Sequence, residues 1–317
     1  MTSVLYVNHG LAKACGVQDF GRRHANALRG GTFDLDYVEI DSVEAYAEAH
    51  ARHAPDVVLF NFMPAVLGWA EDPRVRELPG VRVAVQHLYS ARTLTDIADR
   101  YAHRGSFEYV VVLDPTVVTG DRRVRPMHRA IPHHRPARRD PFGPVRIGTF
   151  GFAAPHKRLD LLARLVNAAF DEAELCVHAP VGHFLGDYTP AVRASVEAEL
   201  TKPGVVLRWA SDFVSETEVV DRLGQNDVNA FLYELNQDEP GVSSSLDYAV
   251  AAERPLLLSD CALFSYADPF AYRTPGDNLE DMVKNRYDEA TARARALLDR
   301  EAGRLLRDME QFLEEVL

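Results

Sequence analysis

Runs of apolar, mostly β-branched residues recur along the chain, and stretches with helical spacing lie between them. In the first half the apolar runs are Val4–Asn8, Asp56–Phe60, Arg82–Gln86 and Tyr109–Leu113, and the helical stretches lie at about 19–28, 41–53, 68–77 and 92–103. Such runs are typical of strands that are buried on both faces of a parallel sheet. The alternation predicts an open, doubly wound α/β domain.

The same alternation starts again at Arg146. Its predicted strands are 146–149, 174–178, 205–208, 228–233 and 255–259, and its helices lie at about 159–170, 188–200, 216–224 and 243–252. The sequence therefore predicts two Rossmann-like domains, 1–138 and 145–275. The helical tail 276–317 is expected to pack back toward the first domain. Ligands of such folds bind beyond the carboxyl ends of the strands, so we expect a site in a cleft that the two domains face.

Residues 121–144 interrupt this rhythm with seven arginines and several prolines. Proline lacks the backbone donor that a helix or a central strand needs, so the later part of the segment is predicted to be an interdomain linker. The arginines have two interpretations. They are either a solvated surface or a basic wall that faces an anionic ligand or a membrane.

Composition narrows the class of protein. The 317 residues are 47% apolar with a formal net charge of −12, which is typical of a globular protein and disfavours a nucleic-acid partner. Three cysteines without paired spacing, Cys15, Cys176 and Cys261, argue against a disulfide framework. With neither a signal-peptide pattern nor a membrane-spanning apolar run, the expected location is the cytoplasm, which leaves room for a peripheral membrane contact.

The first strand leads into a glycine-containing loop, Asn8–Gly10, and then Cys15-Gly16 before a predicted helix. Glycines let a backbone approach a ligand closely, and a helix N-terminus offers unpaired N–H groups to an anion. The loop lacks the GxGxxG pattern of nicotinamide and flavin sites. An ordinary strand-to-helix turn explains the pattern equally well.

The second candidate segment is 147–160, IGTFGFAAPHKRLD. Lys157 and Arg158 follow a loop of small residues and come directly before a helix, where cations oppose the helix dipole. Adjacent cations that break this local preference could bind a diphosphate. The alternative is a pair of exposed cations.

The third segment, Glu239 to Asp247 (EPGVSSSLD), follows a strand and opens a helix. Gly241 permits unusual backbone angles, and the two carboxylates could bind hydroxyl groups at two ends of one ligand. Ser244 and Asp247 have the spacing of a capping box, so Asp247 has a purely structural alternative.

Taken together, these segments resemble the retaining GT-B glycosyltransferases of family GT4. CGVQDFGRRHANAL is similar to the family's N-terminal glycine loop and first helix, GFAAPHKRLDLL to its lysine-bearing donor loop, and EPGVSSSLDYAVAAERPLLLSD to its E-x7-E segment. The three occur in family order and cover both predicted domains. The last is the most specific of them.

Four positions depart from the family pattern. Asp247 stands where the family has a second glutamate, and Phe152 stands where an arginine often precedes the lysine. Arg158 replaces the usual glycine after the lysine, and Arg254 replaces the glycine before the proline that follows the helix. Arg158 is a candidate substitute for the missing arginine.

The resemblance implies a donor diphosphate bound by Lys157, with Arg158 as the second cation. The backbone of Gly241, Val242 and Ser243 would line the sugar and the phosphate.

The resemblance also implies that Glu239 hydrogen-bonds the donor sugar and that Asp247 binds the ribose hydroxyls. Gly16 would lie beside the donor phosphate or the acceptor. His87 falls where the family often has a histidine near the donor sugar, although a packed histidine in a strand-end loop is its structural alternative. Glu239, Lys157 and His87 are the candidate catalytic residues.

The implied activity is sugar transfer from a nucleotide-diphosphate sugar to the hydroxyl of a glycan, a lipid-linked acceptor or a small molecule. Transfer would proceed with retention, with the nucleotide sugar as co-substrate and with no other cofactor and no metal. Two alternatives share the architecture: a nucleotide-sugar epimerase and a non-catalytic nucleotide-sugar-binding homologue.

Two further patterns suggest metals but lack supporting context. Asp34-Leu35-Asp36 spells the DxD signature of another glycosyltransferase fold and precedes an apparent edge strand, so we interpret it as a coincidence. His128, His133 and His134 lie in the arginine-rich segment without an arguable ligand geometry.

Overall fold

The computed structural model describes residues 1–10, 16–86, 106–137, 143–181, 186–234 and 243–317. These residues divide into two compact units. The first contains the described residues of 1–130 together with 301–317, and the second contains those of 131–234 and 243–300. The predicted tail is thus divided between the two units.

In the described part of the first unit, six parallel strands form one sheet in the order β2-β1-β3-β4-β5-β6. Their bounds are β1 Ser3–His9, β2 Asp34–Ile40, β3 Val57–Phe62, β4 Val81–Gln86, β5 Tyr109–Val112 and β6 Val124–Pro126. The four apolar runs predicted from the sequence correspond to β1, β3, β4 and β5. β2 lies at an edge of this sheet, and the DxD pattern Asp34-Leu35-Asp36 forms its first three residues instead of preceding it.

The helices of this unit are short apart from the first, the second and the last. They are α1 Gly16–Leu28, α2 Val43–His53, α3 Pro64–Leu67, α4 Pro73–Arg76 and the C-terminal helix Arg304–Val316, with a 3-10 turn at Gly68–Glu71. The prediction of one helix over 68–77 is wrong. Proline has no N–H to continue a helix, and Pro64 and Pro73 each begin a new helical piece. The predicted helix 92–103 lies outside the described residues.

The C-terminal helix is an integral part of the first unit. Leu305, Met309, Phe312 and Leu313 recur at helical spacing and are buried in one apolar cluster with Phe20 of α1. The contact removes the apolar stripe of this helix from water, which is the main source of stability for such a helix.

Buried amides anchor the start of α1 on the sheet. Asn8 donates to the carbonyl of Gln18 over 2.9 Å, and Asn61 donates to the carbonyl of Val17 over 2.8 Å. A Cβ at Gly21 would lie 2.4 Å from the Asn61 amide nitrogen, so only glycine permits this approach. The amide network places the N-terminus of α1 at the carboxyl ends of β1 and β3.

The second unit repeats the architecture in its described part, with six parallel strands in the order β12-β11-β10-β7-β8-β9. Their bounds are β7 Val145–Phe150, β8 Ala173–His178, β9 Val205–Ala210, β10 Val228–Phe231, β11 Leu256–Ser259 and β12 Tyr272–Thr274. All five strands predicted for this half are present. The sixth, β12, is a three-residue edge strand that the apolar pattern did not reveal.

The helices that connect these strands agree with the predicted ones to within two residues. They are α5 Leu159–Ala169, α6 Thr189–Glu199, α7 Glu216–Gly224 and α8 Ser244–Ala251, with 3-10 turns at Pro155–Lys157 and Ala262–Ala267. Two helices of the predicted helical tail, α9 Leu279–Lys284 and α10 Tyr287–Glu301, follow β12. Apolar residues of α5 and α6, such as Leu162 and Val196, pack on Leu175 of β8 in one buried cluster. Both domains are therefore doubly wound α/β folds.

Most described arginines of the segment 121–144 make internal contacts. Arg123 pairs with Asp121 at 2.5 Å, and Arg125 pairs with Glu315 at 2.7 Å. Arg129 is buried and donates to the carbonyl of Leu113. Three of the seven arginines of this segment thus have partners within the first unit. Within the described residues, no helix is long and apolar enough to cross a membrane.

His24 is a buried base in the core of the first unit. Its ring packs against Phe20 and Tyr6, with centroids 5.4 and 5.5 Å away, and neither ring nitrogen has a hydrogen-bond partner in the described part of the chain. Burial lowers the pKa of His24 to about 3, and the charges of Arg23 and Arg129 act in the same direction. The imidazole is therefore neutral in the folded protein at ordinary pH.

We predict that His24 makes the first unit sensitive to acid. Above pH 6.5 the imidazole is neutral in both states. As the pH falls from 6.5 toward about 3, the unfolded chain gains a proton that the folded chain cannot accept, so the free energy of unfolding falls. The expected loss is about 1.4 kcal/mol per pH unit, and His24→Phe should remove it.

Urea denaturation between pH 7 and pH 4 measures this difference. The two tryptophans lie one in each unit, so a Trp209→Phe background leaves Trp69 fluorescence to report the first unit. A stability difference between the His24→Phe variant and its parent that is constant over this pH range would contradict the prediction.

Candidate functional site

The candidate site of the second unit begins where β7 ends. The chain turns at Gly151, whose φ of 122° is a conformation that residues with a side chain rarely adopt. It then passes through the 3-10 turn Pro155–Lys157 into α5. The turn places the loop at the carboxyl edge of the sheet, where ligands of open α/β sheets bind.

Two segments of the chain, the loop after β7 and the start of α8, meet at Gly151. A Cβ built on this glycine would lie 2.5 Å from the Lys157 ammonium nitrogen and 2.6 Å from the Ser245 hydroxyl oxygen. Lys157 comes from the turn after β7, and Ser245 comes from the first turn of α8. The missing side chain is what allows a cation, a hydroxyl group and bare backbone to converge.

Among the described residues, no carboxylate pairs with Lys157. Its ammonium lies over the ring of Tyr233, 5.4 Å from the centroid, and in the part of the chain that the structure describes it has no ion-pair partner. The charge is therefore available to an anion. A phosphate oxygen is a suitable partner for such a point charge.

Arg158 has a different environment from its neighbour. It adopts a left-handed backbone conformation with φ of 46° and forms ion pairs with Asp160, at 3.2 Å, and with Glu234. Hydrogen bonds to these carboxylates raise the pKa of Arg158. The two predicted cations therefore differ in how readily they could bind an anion, because Arg158 would first have to leave its carboxylates.

The N-terminus of α8 completes this region. Ser243 is the N-cap, and its side chain makes no cap hydrogen bond. Its hydroxyl group instead donates to the Tyr233 hydroxyl oxygen over 3.4 Å. The first backbone N–H groups of a helix have no partner within the helix and favour an anion.

Asp247 is fully buried in the first turns of α8. The capping-box alternative required Ser244 to be the N-cap, whereas the helix begins at Ser244 and is preceded by Ser243. Asp247 is therefore the fourth helical residue, one position beyond the third residue that a capping box uses.

Of the remaining predicted site residues, only Gly16 belongs to the described part of the chain. His87, Glu239, Gly241 and Val242 lie outside the described residues. Gly16 is the first residue of α1 in the first unit.

Close to α1, the end of β1 carries a buried histidine. His9 is fully buried, and among the described residues neither of its ring nitrogens has a hydrogen-bond partner. Burial lowers the pKa of His9, and the negative charge of Glu39 opposes this shift. The side-chain amide of Gln18 donates to both the His9 carbonyl and Glu39, at 3.2 Å each, which ties the loop to α1.

The two metal-like patterns do not form a metal site in the described structure. Asp36 bonds His53 at 2.6 Å. His128 bonds Asp308 at 2.7 Å, and His134 bonds Asp221 at 2.8 Å. Among the described residues, no three histidine, cysteine or acidic side chains have an arrangement that could hold a metal ion.

A cavity of about 630 Å³ in the second unit lies apart from the loop after β7. Its arginines are already engaged. Arg146 and Arg208 pair with Glu174 at 2.7 and 3.0 Å, and Arg222 pairs with Asp212 at 2.7 Å. Because Lys157 does not line this cavity, we place the candidate anion site at the Gly151 turn instead.

Comparison with known proteins identifies the fold. No protein-family model matches the chain. No curated protein matches it in sequence. Among solved structures, HepE of Anabaena in complex with UDP-glucose aligns with a TM-score of 0.68 and 11% identity over 99% of both chains.

Two further structures are similar. A glycosyltransferase from Rickettsia africae aligns with a TM-score of 0.68 and 10% identity over 99% of this chain and 97% of that one. A UDP-forming α,α-trehalose-phosphate synthase from Burkholderia xenovorans, in complex with glucose-6-phosphate, aligns with a TM-score of 0.62 and 11% identity. The alignment covers 98% of this chain and 99% of that one. The two units have the GT-B fold.

Sequence reasoning did not single out Gly151, Tyr233 or Ser245. The first two follow strands β7 and β10, and the third lies in the serine run that opens α8. The only sequence signal was their place in strand-end segments. That these segments meet follows from β7 and β10 being neighbours in the sheet.

We predict that Gly151→Ala weakens the binding of inorganic pyrophosphate about tenfold. The new methyl group would displace the Lys157 ammonium and the Ser245 hydroxyl group. Isothermal titration calorimetry measures the effect.

Gly143→Ala is the matched control. Gly143 has a φ of 120°, so alanine is strained there to a similar degree, but no atom lies within 4 Å of its Cβ position. If both variants lose the same affinity, backbone strain and not the convergence at Gly151 explains the loss, and the prediction fails.

Proposed function

We propose that this protein is a glycosyltransferase that moves a sugar from a nucleotide-diphosphate sugar to an acceptor hydroxyl. The observation that carries the proposal is the Lys157 ammonium, which has no carboxylate partner among the described residues. It lies beside Ser245 in the first turn of α8 and on a GT-B fold. This arrangement suits a diphosphate.

The chemistry requires positive potential at the leaving group. As the bond between the sugar and the phosphate breaks, negative charge grows on the diphosphate oxygens, and preformed charges and dipoles stabilise it. Lys157 would supply a full positive charge. The N-terminus of α8 would supply N–H groups and the positive end of a helix dipole.

In the proposal, the remaining donor contacts follow the GT4 resemblance. Glu239 would hydrogen-bond the donor sugar, and Asp247 the ribose hydroxyls. The backbone from Gly241 to Ser243, including Val242, would line the sugar and the phosphate. Arg158 would join the diphosphate only by leaving Asp160 and Glu234.

Two residues from the first half of the chain complete the proposed assignments. Gly16 would lie beside the donor phosphate or the acceptor, and His87 near the donor sugar. The acceptor-side residues are expected in the first unit. There the amide-anchored start of α1 and the buried His9 are at the carboxyl edge of the sheet.

The proposal also covers the stereochemistry of the transfer, the donor, the acceptor and the location of the protein. Membership of GT4 implies retention of configuration, with charge at the phosphate supplied by the protein and not by a metal. HepE was crystallised with UDP-glucose, which makes a UDP-sugar the first donor to test. The acceptor would be a glycan, a lipid-linked sugar or a small molecule. We propose a cytoplasmic location, with a peripheral membrane contact if the acceptor is lipid-linked.

We predict that Lys157→Ala weakens the binding of the nucleoside diphosphate that binds the wild type, by about tenfold to a hundredfold. Loss of a charge-assisted hydrogen bond costs about 1.5–3 kcal/mol. The melting temperature should hardly change, because the side chain forms no ion pair among the described residues. A thermal-shift screen of UDP, GDP, ADP, CMP and TDP selects the ligand, and calorimetry gives the affinity.

Lys202→Ala is the control, because this lysine pairs with Asp171 on the surface of the same unit. Equal affinity of wild type and Lys157→Ala would place the diphosphate elsewhere. Release of nucleotide with candidate acceptors, measured with and without EDTA, then tests turnover. Isomerisation of the sugar without an acceptor would instead indicate the epimerase, and binding without turnover a non-catalytic homologue.

A further inference from the structure

We infer that Tyr233 is a positioning residue for Lys157. Its ring holds the ammonium group over one face without neutralising it, so that the charge stays in place for a diphosphate. The inference rests on the proposed function and adds to it a residue to which neither the sequence motifs nor the resemblance assigns a role. Three features of Tyr233 carry it.

The ring of Tyr233 is held on several sides. The residue is buried just beyond β10, and its carbonyl accepts a hydrogen bond of 2.7 Å from the Ser259 hydroxyl group. Its ring packs against Phe264 and His156, with centroids 5.0 and 5.9 Å away. A ring that is fixed in this way can define the position of a flexible side chain that rests on it.

The backbone reinforces this contact. The N–H of Glu234 donates to the carbonyl of His156 over 2.7 Å. This bond joins the end of β10 to the 3-10 turn that carries Lys157. The ring and the ammonium therefore belong to two segments that are linked next to the point of contact.

An aromatic ring differs from a carboxylate as a partner for a lysine. The ring attracts the cation through its quadrupole and leaves the net charge intact. A carboxylate would cancel the charge, and a phosphate would have to displace it. Arg158, which Asp160 and Glu234 bind, shows the other arrangement one residue away.

The hydroxyl group of Tyr233 has a separate contact. It accepts a hydrogen bond from Ser243, the N-cap of α8. The ring thus contacts the cation, while the hydroxyl group contacts the helix N-terminus. Tyr233→Leu removes both contacts, whereas Tyr233→Phe removes only the second, so the two can be tested separately.

Calorimetry with inorganic pyrophosphate tests the inference. Loss of the cation–π contact predicts that Tyr233→Leu raises the Kd about threefold to tenfold, while Tyr233→Phe stays within about twofold of the wild type. Phe231→Leu is the matched control, because it removes a buried ring from the same unit that lies 6.3 Å from Tyr233. It should leave the Kd unchanged.

A second measurement reports the contact without any ligand. The chain has only four lysines, Lys13, Lys157, Lys202 and Lys284, so ε-13C-lysine labelling gives few signals, and Lys157→Arg assigns the relevant one. The ring current of Tyr233 should shift the Lys157 ε-CH2 signal upfield. The shift should persist in Tyr233→Phe and Phe231→Leu and disappear in Tyr233→Leu.

The outcomes separate the inference from the proposed function. An unchanged Kd in Tyr233→Leu, an equal loss in Phe231→Leu, or a Lys157 signal that Tyr233→Leu does not move would each overturn the positioning role. If the ring-current shift is present but the wild type binds neither pyrophosphate nor any nucleoside diphosphate, the proposed function fails, and with it the purpose of the contact. The contact itself then stands.

Discussion

The backbone at Gly151 is the constraint on which the candidate site depends. With φ at 122° and no Cβ, the chain passes between the Lys157 ammonium and the Ser245 hydroxyl group, both of which lie where a side chain would otherwise be. A larger residue would strain the turn and also separate these groups. Because the turn follows β7 and Ser245 follows β10, the neighbouring positions of these strands in the sheet bring the two segments together at this glycine.

The distribution of charge gives this point its chemistry. The chain is acidic, with a formal net charge of −12, and many of its arginines are paired with carboxylates or buried in packing. Lys157 rests on an aromatic ring instead. A cation held in this way keeps its charge for a ligand, whereas its neighbour Arg158 is held by Asp160 and Glu234. Position in the sequence does not distinguish these two residues, but their partners do.

The first unit also has buried polar side chains at the carboxyl ends of its strands. Its strand ends carry buried amides, Asn8 and Asn61, which fix the start of α1, and the buried histidine His9. Polar groups that are buried inside a sheet edge must find partners or remain neutral, and the lowered pKa of His9 is consistent with the second outcome. In both units the polar groups of interest lie at the carboxyl ends of the strands, where the helices leave the sheet uncovered.

The sequence by itself determined the doubly wound α/β class, the strands β1, β3 to β5 and β7 to β11, and the two segments that contain Lys157 and Asp247. These follow from local patterns, since burial on both faces of a strand leaves a continuous apolar run. Only the tertiary structure decided that Pro73 begins a separate helical piece inside a predicted helix, that Ser243 and not Ser244 is the N-cap of α8, and that Gly151, Tyr233 and Ser245 lie close to Lys157. Side-chain partners from distant segments depend on strand order, and no local pattern encodes that order.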